Sequence, residues 1–139
     1  MARSNPGREE RREKLRVVAD AEELELHTYR KCRNGNVYPK KDRGGLPSRM
    51  MDEATDAVCL ILDANDMDLF DQQESRERLR LQRCALRELR KLSHHVEMSH
   101  ELNIIGIEEF DYWSGLVVNA RNRCAAWHKS DKRRIGKAS

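Results

Sequence analysis

Apolar residues return at three- and four-residue steps along most of this chain, and polar, breaker-rich stretches divide it into four periodic segments. The clearest is the last. Phe110, Trp113, Val117, Ala120, Cys124 and Trp127 form one stripe, opened near Gly106 or Ile107 with Glu108 and Glu109 in the first turn. In the second segment, Met50, Met51, Ala54, Ala57, Val58, Ile61 and Leu62 predict a helix from Pro47 or Ser48 to about Asp66. The first segment is less regular. Leu15, Val18, Ala19, Leu26 and Tyr29 suggest a helix that begins near Arg8 to Arg11 and ends about Arg33. Between these two, "NGNVYPKKDRGGLPS" strings Asn-Gly, Tyr-Pro, Gly-Gly and Leu-Pro together, a long connection that no helix continues through.

The third segment, "RERLRLQRCALRELRKLSHH", carries six arginines and a lysine among its leucines. At about 100° per residue, Arg76, Arg80, Arg83, Arg87, Arg90, Lys91 and His94 share one face. Leu79, Ala85, Leu86, Leu89, Leu92 and Val96 take the opposite face, with Leu81 at its edge. Disordered basic tails do not segregate in this way, so this is an amphipathic helix with a cationic stripe, ending near Glu101 or Leu102 before "NIIG". Arg78 breaks the pattern by pointing toward the apolar side, where its guanidinium is expected to snorkel to solvent or the helix to settle only after it.

Four helices with short second and third connections predict an all-α, antiparallel four-helix bundle over residues 10–129, preceded by a disordered lead-in at 1–9 and followed by a basic flexible tail at 130–139. Composition agrees. At 139 residues, with 37% charged and 5% aromatic residues, the chain suits a helical bundle with a narrow core rather than a β-sandwich. The N-terminus has no apolar leader segment and no run approaches the length of a membrane span, which predicts a cytoplasmic protein that does not enter membranes. The isolated cysteines Cys32, Cys59, Cys84 and Cys124 read as buried thiols.

The net charge of +3 says less than its distribution. No Lys or Arg falls between Met50 and Ser75, a span that holds Asp52, Glu53, Asp56, Asp63, Asp66, Asp68, Asp71 and Glu74. The basic stripe follows at once. Such a stripe is commonly a solvated face, yet like charges along one face repel unless anions neutralise them. Nucleic-acid phosphates are one source of anions; the acidic second helix, in the same chain or in a neighbouring subunit, is the other. Exposed aromatics are missing from the stripe, so contact with nucleic acid is expected through backbone phosphates with little base readout.

Catalytic and metal signals are weak. Glu97 and His100 form one Glu-x-x-His, whereas di-iron bundles use two copies and two further glutamates. His94 and His95 are adjacent and point apart, and no zinc spacing or phosphate-binding loop is present. The expectation is a non-enzymatic protein with no catalytic residue, no metal site and no cofactor.

The junction "NVYPKKDRGGLPSRMMDEATDAVCLILDAN" resembles that of the four-helix-bundle family that includes the accessory variability determinant (Avd) of diversity-generating retroelements. That family shows Phe/Tyr-Pro-Lys, a polar link and then Leu-Gly-x-Arg; this chain has Tyr38-Pro39-Lys40 and Leu46-Pro47-Ser48-Arg49, with Pro47 in place of the glycine. "NIIGIEEFDYW" resembles the turn before the family's last helix, and the resemblance spans roughly Ala19 to Lys129. It implies a barrel- or ring-like homo-oligomer, a pentamer, that binds a reverse transcriptase and its template RNA or cDNA through a basic surface in support of mutagenic cDNA synthesis and retrohoming. A related branch, encoded in intervening sequences of 23S ribosomal RNA genes, shares the bundle, and implies instead a structural or protein-interaction role without nucleic acid.

Overall fold

A computed structural model describes the backbone of residues 6–138 and the side-chain surroundings of residues 16–137. Its helices are α1 (Pro6–Cys32), α2 (Leu46–Asp66), α3 (Gln72–Glu101) and α4 (Ile107–Ala138), with a single 3-10 turn at Lys40–Asp42 and no strand among the described residues. Each helix packs on two neighbours, α1 on α2 and α4, and α3 on α2 and α4. Cross-helix contacts run in opposite senses along the chain: Asp20 meets Arg123 while Lys31 meets Glu109, and Arg78 meets Asp131 while His100 stacks on Phe110. The arrangement is an up-down-up-down four-helix bundle.

The helix ends follow their local chemistry. Pro47 sits in the first turn of α2, where its missing N–H costs nothing. Asp71 caps α3 by accepting from the Glu74 amide at 2.9 Å. Asn103, the one non-glycine residue at positive φ among those described (60°), closes α3 in a Schellman turn. Its amide donates to the His100 carbonyl at 3.0 Å, and the Ile104 amide donates to the Ser99 carbonyl at 2.9 Å.

The core is built from Met50, Ala54, Ala57, Val58, Ile61 and Ala64 of α2, Leu81, Ala85, Leu89, Leu92 and Val96 of α3, and Trp113, Val117, Ala120, Cys124 and Trp127 of α4. Burying a side chain such as Leu89 or Leu92, both fully covered, contributes roughly 1.5–3 kcal/mol. One buried indole is matched within the core: the Trp113 N–H donates to Thr28 Oγ1 (3.1 Å), which donates in turn to the Leu24 carbonyl (2.8 Å), whereas the buried Trp127 N–H has no hydrogen-bond partner among the described residues.

Three expectations need correction. The inward face of α1 is Val17, Ala21, Leu24, Thr28 and Cys32; Ala19 and Leu26 are exposed, Val18 and Tyr29 half-buried, and the side chain of Leu15 lies outside the described residues. Apolar residues off that face, Val18, Ala19 and Leu26, together with the polar Thr28 on it, blur the period and misplace the face. At the N-terminus, residues 6–9 of the expected lead-in are helical, and residues 1–5 lie outside the described residues. Nor is the chain from residue 130 onward a loose tail: it continues α4 to Ala138, with Asp131 buried and Ile135 half-buried. Among the described residues, no helix is long and apolar enough to cross a membrane.

Candidate nucleic-acid interface

Arg76, Arg80, Arg83, Arg87, Arg90, Lys91 and His94 are all exposed on the outer side of α3. They are not equivalent. Arg80 is held by Glu77 one turn back, with Nε donating to a carboxylate oxygen at 2.9 Å; the pairing lowers the Glu77 pKa and raises that of Arg80. Lys91 pairs with Glu88 at 2.8 Å, which raises its pKa. Glutamates on the flanks of the face thus answer two of its cations. Arg76, Arg83, Arg87 and Arg90 have no ion-pair partner among the described residues.

A second helix completes the surface. Arg83, Leu86, Arg87 and Arg90 of α3 and Arg121, Asn122 and Ala125 of α4 line one open groove of about 420 Å³. Four guanidiniums converge there around an apolar strip, and no carboxylate is among the lining residues. The positive field extends toward the C-terminal part of α4. His128 lies half-buried at that side, its Nδ1–H donating to Gln82 Oε1 at 2.9 Å. Its pKa is lowered first by burial and then by the charges of Arg83 and Lys132, against the opposing pull of Asp131. Arg121 and Asn122 escaped the sequence reading because they lie off the apolar stripe of α4 and only antiparallel packing brings them level with Arg87 and Arg90.

Arg78 does the opposite of snorkelling. It is 1% exposed, its Nε donates to Asp131 Oδ2 at 2.7 Å, and Nη1 donates to the carbonyl of Met67 at 3.0 Å, just past the end of α2. Gln82 Nε2 donates to the same carboxylate oxygen at 2.7 Å, and the guanidinium lies 5.1 Å from the Trp127 ring centroid. This network pins the end of α4 onto α3 and α2.

Among the described residues, the stripe cations form no ion pair with the acidic residues of α2, and Lys91 is drawn electrostatically toward one of them, Glu53. Between α2 and α3, His95 Nδ1 lies 2.8 Å from Glu53 Oε1 on the inward side, and no stripe cation lies within ion-pair distance of an α2 carboxylate among the described residues. Burial raises the Glu53 pKa, against the pull of His95.

The remaining candidates are structural in their contacts. His100 stacks on Phe110 (4.7 Å between centroids) while Glu97 is exposed, and no group of three or more metal-ligating side chains gathers among the described residues. Two cysteines depart from the expected burial. Cys32 and Cys124 are buried, with thiol pKa values pushed up to about 12, but Cys84 is half-buried and Cys59 exposed. Trp113 and Trp127 are both buried, so neither offers a stacking surface. Comparison with protein-family models, with curated proteins and with solved structures returns no match.

Proposed function

We propose that this chain is a non-enzymatic accessory subunit that holds nucleic acid by its phosphates in the α3–α4 groove. The observation that supports this reading most is the convergence of Arg83, Arg87, Arg90 and Arg121 on one open surface, without a carboxylate partner among the described residues. Guanidiniums at such a site gain most from phosphate, which accepts their paired N–H donors and releases counterions on binding. The groove's lining has no aromatic side chain, which suits backbone contact over base stacking.

Combined with the resemblance of the Tyr38–Arg49 junction to the Avd family, the reading becomes specific. The chain assembles as a homo-oligomer, a pentamer in that family's manner, and partners a reverse transcriptase of a diversity-generating retroelement with its template RNA or cDNA during mutagenic retrohoming. Side-by-side assembly would multiply the groove, and the exposed acids of α2 (Asp52, Asp56, Asp63 and Asp66) offer a surface for subunit contact.

The test is fluorescence anisotropy of labelled single-stranded RNA against the full chain across a salt series. Four groove arginines on single-stranded RNA predict a slope of log K against log salt of roughly −3 per subunit engaged. R83E/R87E/R90E is expected to abolish binding while leaving the circular dichroism spectrum unchanged. Salt-independent or unchanged binding would remove the groove from the mechanism and return the chain to a structural or protein-interaction role.

A further inference from the structure

A second groove lies at the other end of α3, remote in sequence and chemistry from the arginines. It has a volume of about 400 Å³ and an apolar lining of Val37, Pro39, Leu46, Pro47, Leu102 and Ile104. Its outskirts are cationic: Lys41 lines it, and Lys40, Arg43 and Arg49 are exposed on the same stretch with no ion-pair partner among the described residues, against the single carboxylate of Asp42. Exposed apolar side chains are found on the residues around the α3–α4 turn. Leu102 is 60% and Ile107 58% exposed, with Met98 also exposed, three of the eight exposed large hydrophobics among the described residues.

That exposure is not fraying. Asn103 locks the turn in its left-handed conformation, and the amides of Ile104 and Ile105 both donate to the Ser99 carbonyl. Tyr38 is buried under the groove, its hydroxyl donating to Ser99 Oγ at 2.7 Å, and Ser99 Oγ donates to the His95 carbonyl at 3.0 Å. On the facing side, the Asp42 amide donates to Pro39 and the Gly45 amide to Asp42, and prolines 39 and 47 restrict the backbone. A preformed apolar slot loses little ordering entropy when something fills it.

The geometry points to a docking groove for an acidic peptide segment of a partner protein, with one bulky aliphatic or aromatic anchor in the slot and flanking Asp or Glu against Lys40, Lys41, Arg43 and Arg49. A slot of this size falls within the range of roughly 300–1,000 Å³ common to ligand pockets, and an apolar floor with a charged rim is the anatomy of an anchor-and-ring interface. Charge complementarity selects the flanks. Nucleic acid fits less well, because the slot is lined by aliphatic side chains and prolines, and its one aromatic is buried with its hydroxyl engaged. In the accessory-subunit reading this segment belongs to the polymerase; the groove's chemistry stands without that assignment.

The experiment is a selection of displayed random linear peptides on the immobilised full chain, followed by anisotropy of the enriched peptides with wild type, L102E, K40E/K41E/R43E and R83E/R87E/R90E. Leu102 is exposed, so its replacement leaves the core intact, and circular dichroism verifies this. The expected result is a consensus of one Leu, Phe or Trp among several carboxylates. Binding should weaken at least about tenfold in L102E and in the charge reversal and stay unchanged in the α3–α4 variant. L102E should in turn retain RNA binding, so that failure here and failure of the nucleic-acid reading are separate results. Failure to enrich peptides, or enrichment of peptides that bind L102E normally, overturns the proposal. Two further results also overturn it: a native mass that falls in L102E assigns the groove to a second copy of the chain, and phosphatidylserine vesicles that bind wild type but not L102E, with no peptide enriched, assign it to a membrane surface.

Discussion

Arg78 and Arg87 stand on the same helix a few turns apart and have opposite fates. Arg78 is 1% exposed, with Nε donating to Asp131 and Nη1 to the Met67 carbonyl. Arg87 is exposed with no ion-pair partner among the described residues, beside Arg83, Arg90 and Arg121. Arg78 falls on the inward side of α3 and meets an acid from the end of α4. Arg87 falls on the outward side, in a groove whose charged lining residues are all arginines. A buried guanidinium without its carboxylate is strongly unfavourable, whereas an exposed one keeps its hydration and remains available to a ligand. The first kind of arginine organises the bundle; the second kind is the surface on which the proposed function rests.

This contrast can be broken from either side. The largest effect is expected at Asp131. D131A strands Arg78 in the core and should cost about 3–5 kcal/mol, read as a lower urea midpoint and melting temperature, whereas R78M/D131L, which removes both charges, should recover most of that loss. Next is the triple reversal R83E/R87E/R90E. Its expected cost is about a hundredfold or more in RNA affinity with no loss of stability, because nothing in the fold leans on those guanidiniums. A variant that melted as early as D131A would erase the distinction.

A smaller effect concerns pH. Burial holds the His27 and His128 pKa values below the ordinary histidine value, so the folded chain binds fewer protons than the unfolded one in that range. Their contribution is present above the unfolded value and is lost as pH falls through it toward the lowered folded values. The melting temperature should therefore fall between about pH 7.5 and about pH 5.5, and fall less in H27Q/H128Q. Glu53, whose pKa is raised, acts in the opposite sense but equally in both proteins, so the difference between them isolates the histidines. The smallest effect is expected for R80A, since Arg80 is exposed and occupied by Glu77. RNA affinity should stay within about threefold of wild type, as for one phosphate contact at most.

Much of the bundle was legible before any coordinates. The stripe from Trp113 to Trp127 and Ala85, Leu89, Leu92 and Val96 of the α3 seam are buried as their spacing implied, because each is apolar at every inward turn, while Leu86 is half-buried at the groove. In α1 the inward turns include the polar Thr28, and the apolar Val18, Ala19 and Leu26 lie on other faces, so the apolar pattern rotated the helix. The end of α4 was misread for a related reason. "KSDKRRIGKAS" has the composition of a solvated tail, and its one buried anchor, Asp131, is held by a residue more than fifty positions earlier. The candidate site was half visible: the α3 cations share a face by periodicity, but which of them are free is a matter of neighbours.

The sequence by itself determined four amphipathic segments, their breakers and a cationic face on the third, because periodicity and capping are local and each is written within a few turns of chain. Tertiary structure decided the rest. It set Arg121 beside Arg87 and Arg90, buried Arg78 against Asp131, left the stripe arginines without an ion pair to the acids of α2 among the described residues, and left an apolar slot between two connections. Each of these is a relation between residues distant in the chain, and only the antiparallel register of packed helices sets the distance between them.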